Sequence, residues 1–258
     1  MRIVAPTVVV AAAVLVGCTG GDDASPTTTT STVAPSSTTP SVPADLITTY
    51  LGAFGDPTVA TTDVAVGDAA LYLDYRRTGA AILGTSLIVL PGAVSHQVCT
   101  DDGCVVLGDV VTEPETGRVV TYSVDGRPIA GRIGGAGLVA DDDGVVAQTR
   151  TVYATNGGQL AVMIEIDNTT GTDVELFGFG AVLRPSGEVG GIEASSAFGT
   201  STVAAGNTTD LLVVFDAPDA DPIPVGGRIS LFGLRSDGLE VRLDIEVPEP
   251  AGGNGSLG

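Results

Sequence analysis

Among the 258 residues there is one histidine, His96, and there are three cysteines, Cys18, Cys99 and Cys104. An acyl-transferring nucleophile needs a base within hydrogen-bond reach. His96 would be the only imidazole for that role, and no Gly-x-Ser-x-Gly elbow accompanies it. Its strand-like context beside Cys99 reads instead as a half-exposed sheet position. All 11 basic residues are arginine, so P-loop, Schiff-base and general-base lysines are excluded. Cys99-Thr-Asp-Asp-Gly-Cys104 is not a Cys-x-x-Cys redox motif, and two cysteines with one histidine do not complete a zinc set. Hard oxygens gather at Asp141, Asp142 and Asp143 before Gly144, and again at Asp216, Asp219 and Asp221. Such loops suit Ca²⁺, although the spacing matches no EF-hand and Asp-rich turns are ordinarily just solvated. Gly135-Ala-Gly137-Leu-Val-Ala140 imitates a dinucleotide fingerprint but leads into Asp141 instead of a helix. Sugar sites usually offer aromatic faces, and this chain has no Trp and only 4% aromatics. Tyr72, Tyr75, Arg76 and Arg77 form one further cluster, readable as a partner patch or as packing with snorkelling arginines. No catalytic set and no cofactor is expected.

The elements that must position these residues fall into two regions. Leu46, Ile47, Tyr50, Leu51 and Phe54 recur at helical spacing over 44–54, and a second helical pattern runs from Asp68 to Leu83. The composition then turns to Val, Ile and Thr, with strands predicted over 87–90, 95–99, 104–111, 118–124 and 128–133. Residues 45–140 therefore read as a small α+β region: helices first, then an antiparallel meander. Residues 141–248 show no convincing helical pattern. Leu160, Val162, Ile164 and Ile166 alternate with Ala161, Met163, Glu165 and Asp167, a period of two with one face inward. Leu239 to Val247 alternates in the same way after a Ser-Asp-Gly turn. Seven short strands in about 100 residues predict an all-β sandwich.

The N-terminus points to an address. Arg2 precedes an apolar run, Ile3 to Val16, that is shorter than the roughly 20 residues of a membrane-spanning helix. Leu15-Val16-Gly17-Cys18 resembles the bacterial lipobox, which implies a signal peptide over 1–17 and acyl chains on Cys18. Two or more chains give stable anchoring, at about 0.8 kcal/mol per buried methylene. Residues 18–44 then read as a disordered Ser/Thr/Pro tether; an extended stretch of about 26 residues would reach roughly 80 Å. With Cys18 lipidated outside the cytoplasm, Cys99 and Cys104 remain as an even pair, expected as a disulfide across a tight hairpin. Residues 249–258 read as a disordered tail.

From Leu160 to Pro218 the order is strand, Asn-Thr-Thr, strand, Pro-Ser-Gly turn, then Leu-Leu-Val-Val-Phe-Asp-Ala-Pro. This resembles the immunoglobulin-like β-sandwich domains of secreted bacterial lipoproteins. Gln97 to Cys104, followed by Arg118 to Ile129, is similar to N-terminal regions of lipoproteins from high-GC Gram-positive bacteria. The resemblance implies an immunoglobulin-like sandwich after the α+β region and carries no functional residue with it.

The formal charge of −20 repels a phosphate backbone, so nucleic acid is not an expected partner. The expected location is the extracytoplasmic face of the cell membrane. The expected role is a non-catalytic binding or interaction module with an unknown protein or small-molecule partner. A carrier or sensor of a small or apolar ligand is the alternative, and a hydrolase comes after it.

Overall fold

The computed structural model describes residues 44–92, 95–101, 103–187, 190–217, 223 and 226–250. Cys18, the lipobox, residues 18–43 of the expected tether, Asp219, Asp221 and residues 251–258 lie outside the described residues. All the described residues belong to one compact unit, 41–258.

Three helices come first: α1 (Ala44–Gly55), α2 (Thr61–Val64) and α3 (Gly67–Leu83). The helical spacing of α1 buries Tyr50, Leu51, Ala53 and Phe54 on one side. Helix α3 stops at Gly84, whose left-handed backbone (φ 66°) lets Thr85 N–H reach the Ala80 carbonyl at 2.9 Å. A five-stranded antiparallel meander follows: β1 (Ile88–Leu90), β2 (His96–Thr100), β3 (Gly103–Thr112), β4 (Val119–Val124) and β5 (Arg127–Pro128). Its inner face and the helices enclose one core, which includes Tyr72, Leu73, Val98, Leu107 and Ile129.

The rest of the chain is antiparallel β-structure. Its strands are β6 (Ile133–Gly134), β7 (Ala140–Asp142), β8 (Val145–Ala154), β9 (Gln159–Asn168) and β10 (Val174–Leu176). After a 3-10 turn at Gly178–Gly180 come β11 (Val182–Arg184), β12 (Ile192–Gly199), β13 (Thr202–Val203), β14 (Thr208–Asp216), β15 (Arg228–Arg235) and β16 (Glu240–Glu246). They form a hydrogen-bonded path β13-β10-β15-β11-β12-β14-β9-β8-β6, with β16 on β15 and β7 on β8. Ile164 and Phe215 from the middle of that path share one core with Leu231 and Leu243 from the other arm. On β16 the predicted alternation holds: Val241, Leu243 and Ile245 are buried, while Glu240, Arg242 and Asp244 face out.

Three expectations need correction. The boundary expected at 140/141 falls inside β7, and Tyr153 of β8 packs in the helical core. The strand expected over 128–133 is two short pieces, β5 and β6, that pair with different neighbours. On β9 the second face is covered in its middle: Ala161 and Met163 are buried like Val162 and Ile164, while Gln159 and Glu165 stay exposed. The cause is α3, which lies across that sheet. A Cβ on Gly79 would sit 3.1 Å from Met163 Cε, and Tyr75 and Ile82 pack on Ala161, Met163 and Leu212. Arg150, at a bulge in β8, fixes the contact. Its Nε and Nη2 donate to the two carboxylate oxygens of Asp74 at 3.0 and 3.1 Å, and Nη1 reaches Asp210 Oδ2 at 3.3 Å.

Candidate functional site

Cys99 and Cys104 stand directly opposite each other in the β2–β3 register and are joined as a disulfide. His96 lies three residues before Cys99 on the same strand, opposite Leu107. Its Nδ1 accepts a hydrogen bond from Gly92 N–H at 3.3 Å, and burial pushes the imidazole below the usual histidine range. Three of the Asp candidates, Asp141, Asp142 and Asp216, are committed to backbone contacts or to other side chains. Asp141 Oδ1 accepts from Gly144 N–H (3.0 Å) and Asp142 Oδ2 from Arg242 N–H (2.7 Å). Asp143 occupies the left-handed turn position at φ 48°. Asp216 Oδ1 accepts from Gln159 Nε2 and Ser195 Oγ. Among the described residues no group of three His, Cys, Asp or Glu side chains is placed to hold a metal ion.

The Tyr72, Tyr75, Arg76, Arg77 cluster is divided by the helix that carries it. Adjacent residues on a helix point about 100° apart. Tyr72 is 1% exposed and meets Tyr122 and Tyr153 edge-on, with ring centroids 5.7 and 5.2 Å away. All five tyrosines of the chain converge here, drawn from α1, α3, β4 and β8. Tyr50 Oη donates to the Ala69 carbonyl at 3.1 Å and pairs with Tyr122 Oη at 2.8 Å. Burial pushes the Tyr50, Tyr75, Tyr122 and Tyr153 phenols above their ordinary range, so all four stay neutral. Arg77 turns the other way, against the end of α1. Its Nε donates to the Ala53 carbonyl (2.6 Å), Nη1 to the Val59 carbonyl (3.0 Å) and Nη2 to the Asp56 carbonyl. Tyr75 and Arg76 instead border a cavity of about 210 Å³ with Leu83, Thr85, Thr100 and Leu212. Among the described residues Thr85 Oγ1 is buried there without a hydrogen-bond partner.

A second feature was not singled out in the sequence. Four of the six phenylalanines, Phe177, Phe179, Phe198 and Phe232, come together on the outside of the β-structure. Phe179 is 69% exposed, Phe177 43% and Phe198 41%, with Leu234 beside them at 40%. The Phe-Gly-Phe-Gly turn between β10 and β11 builds the face. Phe177 N–H donates to the Phe232 carbonyl at 2.8 Å. Gly178 is required because a Cβ there would lie 2.8 Å from Ala197 Cβ. Gly199, at φ 114°, ends β12 where a Cβ would lie 2.7 Å from the Asp210 carbonyl. Phe177 forms the ridge between two depressions. One, of about 390 Å³, is walled by Phe177, Phe179, Phe198 and Leu211. The other, of about 480 Å³, is walled by Phe177, Phe232, Leu234, Glu240 and Arg242. The Arg242 guanidinium lies 5.8 Å from the Phe232 ring centroid. Glu175 and Glu240 pair with Leu234 from the strands on either side. A parity signal for half of this face exists in the sequence: if Leu231 points inward, Phe232 and Leu234 point outward.

No protein-family model matches the chain. No curated protein matches it. Among solved structures, a functionally unknown protein from Listeria monocytogenes EGD-e is similar to it at 10% identity, over 46% of this chain and 86% of that one, with a TM-score of 0.32. A likeness that low carries no argument about fold or function. Among the described residues no helix is long and apolar enough to cross a membrane.

Proposed function

We propose that this chain is a lipid-anchored extracytoplasmic protein acting as a non-catalytic binding module. Its binding surface is the phenylalanine face, carried on an immunoglobulin-like β-sandwich. The lipobox and the Ser/Thr/Pro stretch support the address, and the Cys99–Cys104 disulfide fits an oxidising compartment. The antiparallel strands sharing one core support the sandwich. The phenylalanine face itself carries the binding reading. A contiguous exposed apolar surface costs free energy in water, and on an otherwise acidic chain it marks a place where water is displaced by a partner.

Photo-crosslinking in intact cells tests this reading. A photoreactive phenylalanine at position 179 should trap a discrete adduct, and the same group at Thr170, in the β9–β10 turn, should not. Equal or absent trapping at both positions refutes the assignment. Replacing Cys18 by Ala separately tests the anchor, since unchanged membrane partitioning refutes it.

The small-ligand alternative is favoured by one observation: the cavity beside Arg76. Arg76 makes no ion pair among the described residues and reaches only Tyr72 Oη, at 3.4 Å. The volume admits a ligand of a few heavy atoms.

A further inference from the structure

We propose that the occupant of the phenylalanine face is a basic polypeptide segment of another protein, seating one apolar side chain on each side of Phe177. The proposal rests on the binding-module reading and names the chemistry of its partner. The shape argues for two anchors. Phe177 walls both depressions, so a ligand filling them must straddle its ring. Side chains at i and i+2 of an extended peptide lie on one face about 6.6 Å apart, and such a pair can sit on either side of one aromatic ridge. Anchors of this kind, buried in adjacent pockets, dominate the energy of protein interfaces.

Charge selects the partner. Leu234 sits in register between Glu175 and Glu240 on the neighbouring strands, so the apolar floor has a carboxylate on both sides. Among the described residues the one cation lining either depression, Arg242, is held by Asp244 Oδ2 at 3.3 Å and by the Phe232 ring. Glu175 and Glu240 form no ion pair among the described residues, so the face presents negative charge beside exposed aromatics, which is complementary to lysine or arginine beside apolar side chains.

The same charge disfavours the other occupants. Two copies of a chain at −20 with no lysine repel each other. An anionic lipid surface is repelled for the same reason. The chain's own residues 18–43 contain no basic residue and no Leu, Ile or Phe to act as an anchor.

The test uses the purified full chain and fluorescent 12-residue peptides. All share one Leu-x-Phe apolar pattern, and their flanks are lysine, serine or glutamate. The lysine-flanked peptide should bind tightest, the glutamate-flanked one weakest, with the lysine advantage shrinking as salt rises. Phe179→Ser with Phe198→Ser should weaken the lysine- and serine-flanked peptides by about tenfold or more. Glu175→Gln with Glu240→Gln should weaken the lysine-flanked peptide alone, by about threefold to tenfold. All four side chains are exposed, and unchanged melting temperatures show that the variants fold; Phe179→Ser alone serves as a second, milder variant.

If the three flanks bind alike, or the glutamate substitutions change nothing, the basic partner is refuted while the apolar face stands. If no peptide shows binding that depends on the phenylalanines, both readings fall. Phenylalanine-dependent binding to phosphatidylglycerol vesicles would overturn the proposal in favour of a membrane. Phenylalanine-dependent dimerisation in sedimentation would overturn it in favour of a second copy.

Discussion

Arg77 offers a direct discrimination between a surface role and a structural one. Its guanidinium donates to the carbonyls of Ala53, Asp56 and Val59 and, at 3.3 Å, to Thr61 Oγ1. Ala53 lies in the last turn of α1, where carbonyls lack intrahelical partners and a cation is favoured. Hydrogen bonds to a charged group are worth roughly 1.5–3 kcal/mol each, and partial exposure brings these toward or below the lower end. Arg77→Met should therefore destabilise the fold by about 3 kcal/mol once non-additivity among three carbonyls is allowed for. For a unit of this size that corresponds to a fall of about 6–12 °C in melting temperature. Urea unfolding should show the same loss as a lower midpoint with an unchanged slope. Arg77→Lys should recover about a third of it, because one ammonium cannot span three carbonyls as a planar fork does. A loss under about 0.5 kcal/mol in Arg77→Met, or full recovery with lysine, would refute the clamp and return Arg77 to the surface patch.

Two further outcomes follow from named groups. Burial holds the Asp68 carboxyl above the ordinary aspartate range, against the hydrogen bond it accepts from Thr121 Oγ1 at 3.4 Å. The folded protein thus holds this proton more tightly than the unfolded chain; the stabilisation is full below the unfolded value near 3.8 and is lost as pH rises through the folded one. Asp68→Asn should raise the melting temperature at pH 7 and make little difference at pH 3; a lower value at pH 7 or a pH-independent difference would contradict this. For the small-ligand alternative, short carboxylates such as propionate or butyrate should raise the melting temperature of the wild type but not of Arg76→Gln, and equal shifts in both would dismiss the cavity.

The sequence was most legible where one neighbouring layer decides burial. Helices α1 and α3, the hairpin around Cys99 and Cys104, and the alternation of β16 all follow from local period and turn chemistry. Legibility failed where two layers compete for one element. The alternation on β9 shows a period of two, but α3 covers Ala161 and Met163 on its second face, and a period of two does not reveal what lies above the strand. Arg76 and Arg77 look equivalent in sequence, but a helix sends one to a cavity and the other to the end of α1. The phenylalanine face draws on residues 177, 179, 198 and 232, which are separated by up to 55 positions and joined by strand pairing alone.

By itself, the sequence determined what depends on composition and local order: the absence of lysine chemistry, the strongly acidic balance, and the β-rich character after two helices. Those properties are sums over residues or patterns a few residues long, so they do not change with the topology. Tertiary structure alone decided which side chains share a surface. Five tyrosines from four elements became a buried cluster, and four phenylalanines became an exposed one. The physical reason is the same in both cases. Burial is set by what another part of the chain places opposite a residue. Tyr72 has a sheet against it, and Phe179, on its turn, is left facing water.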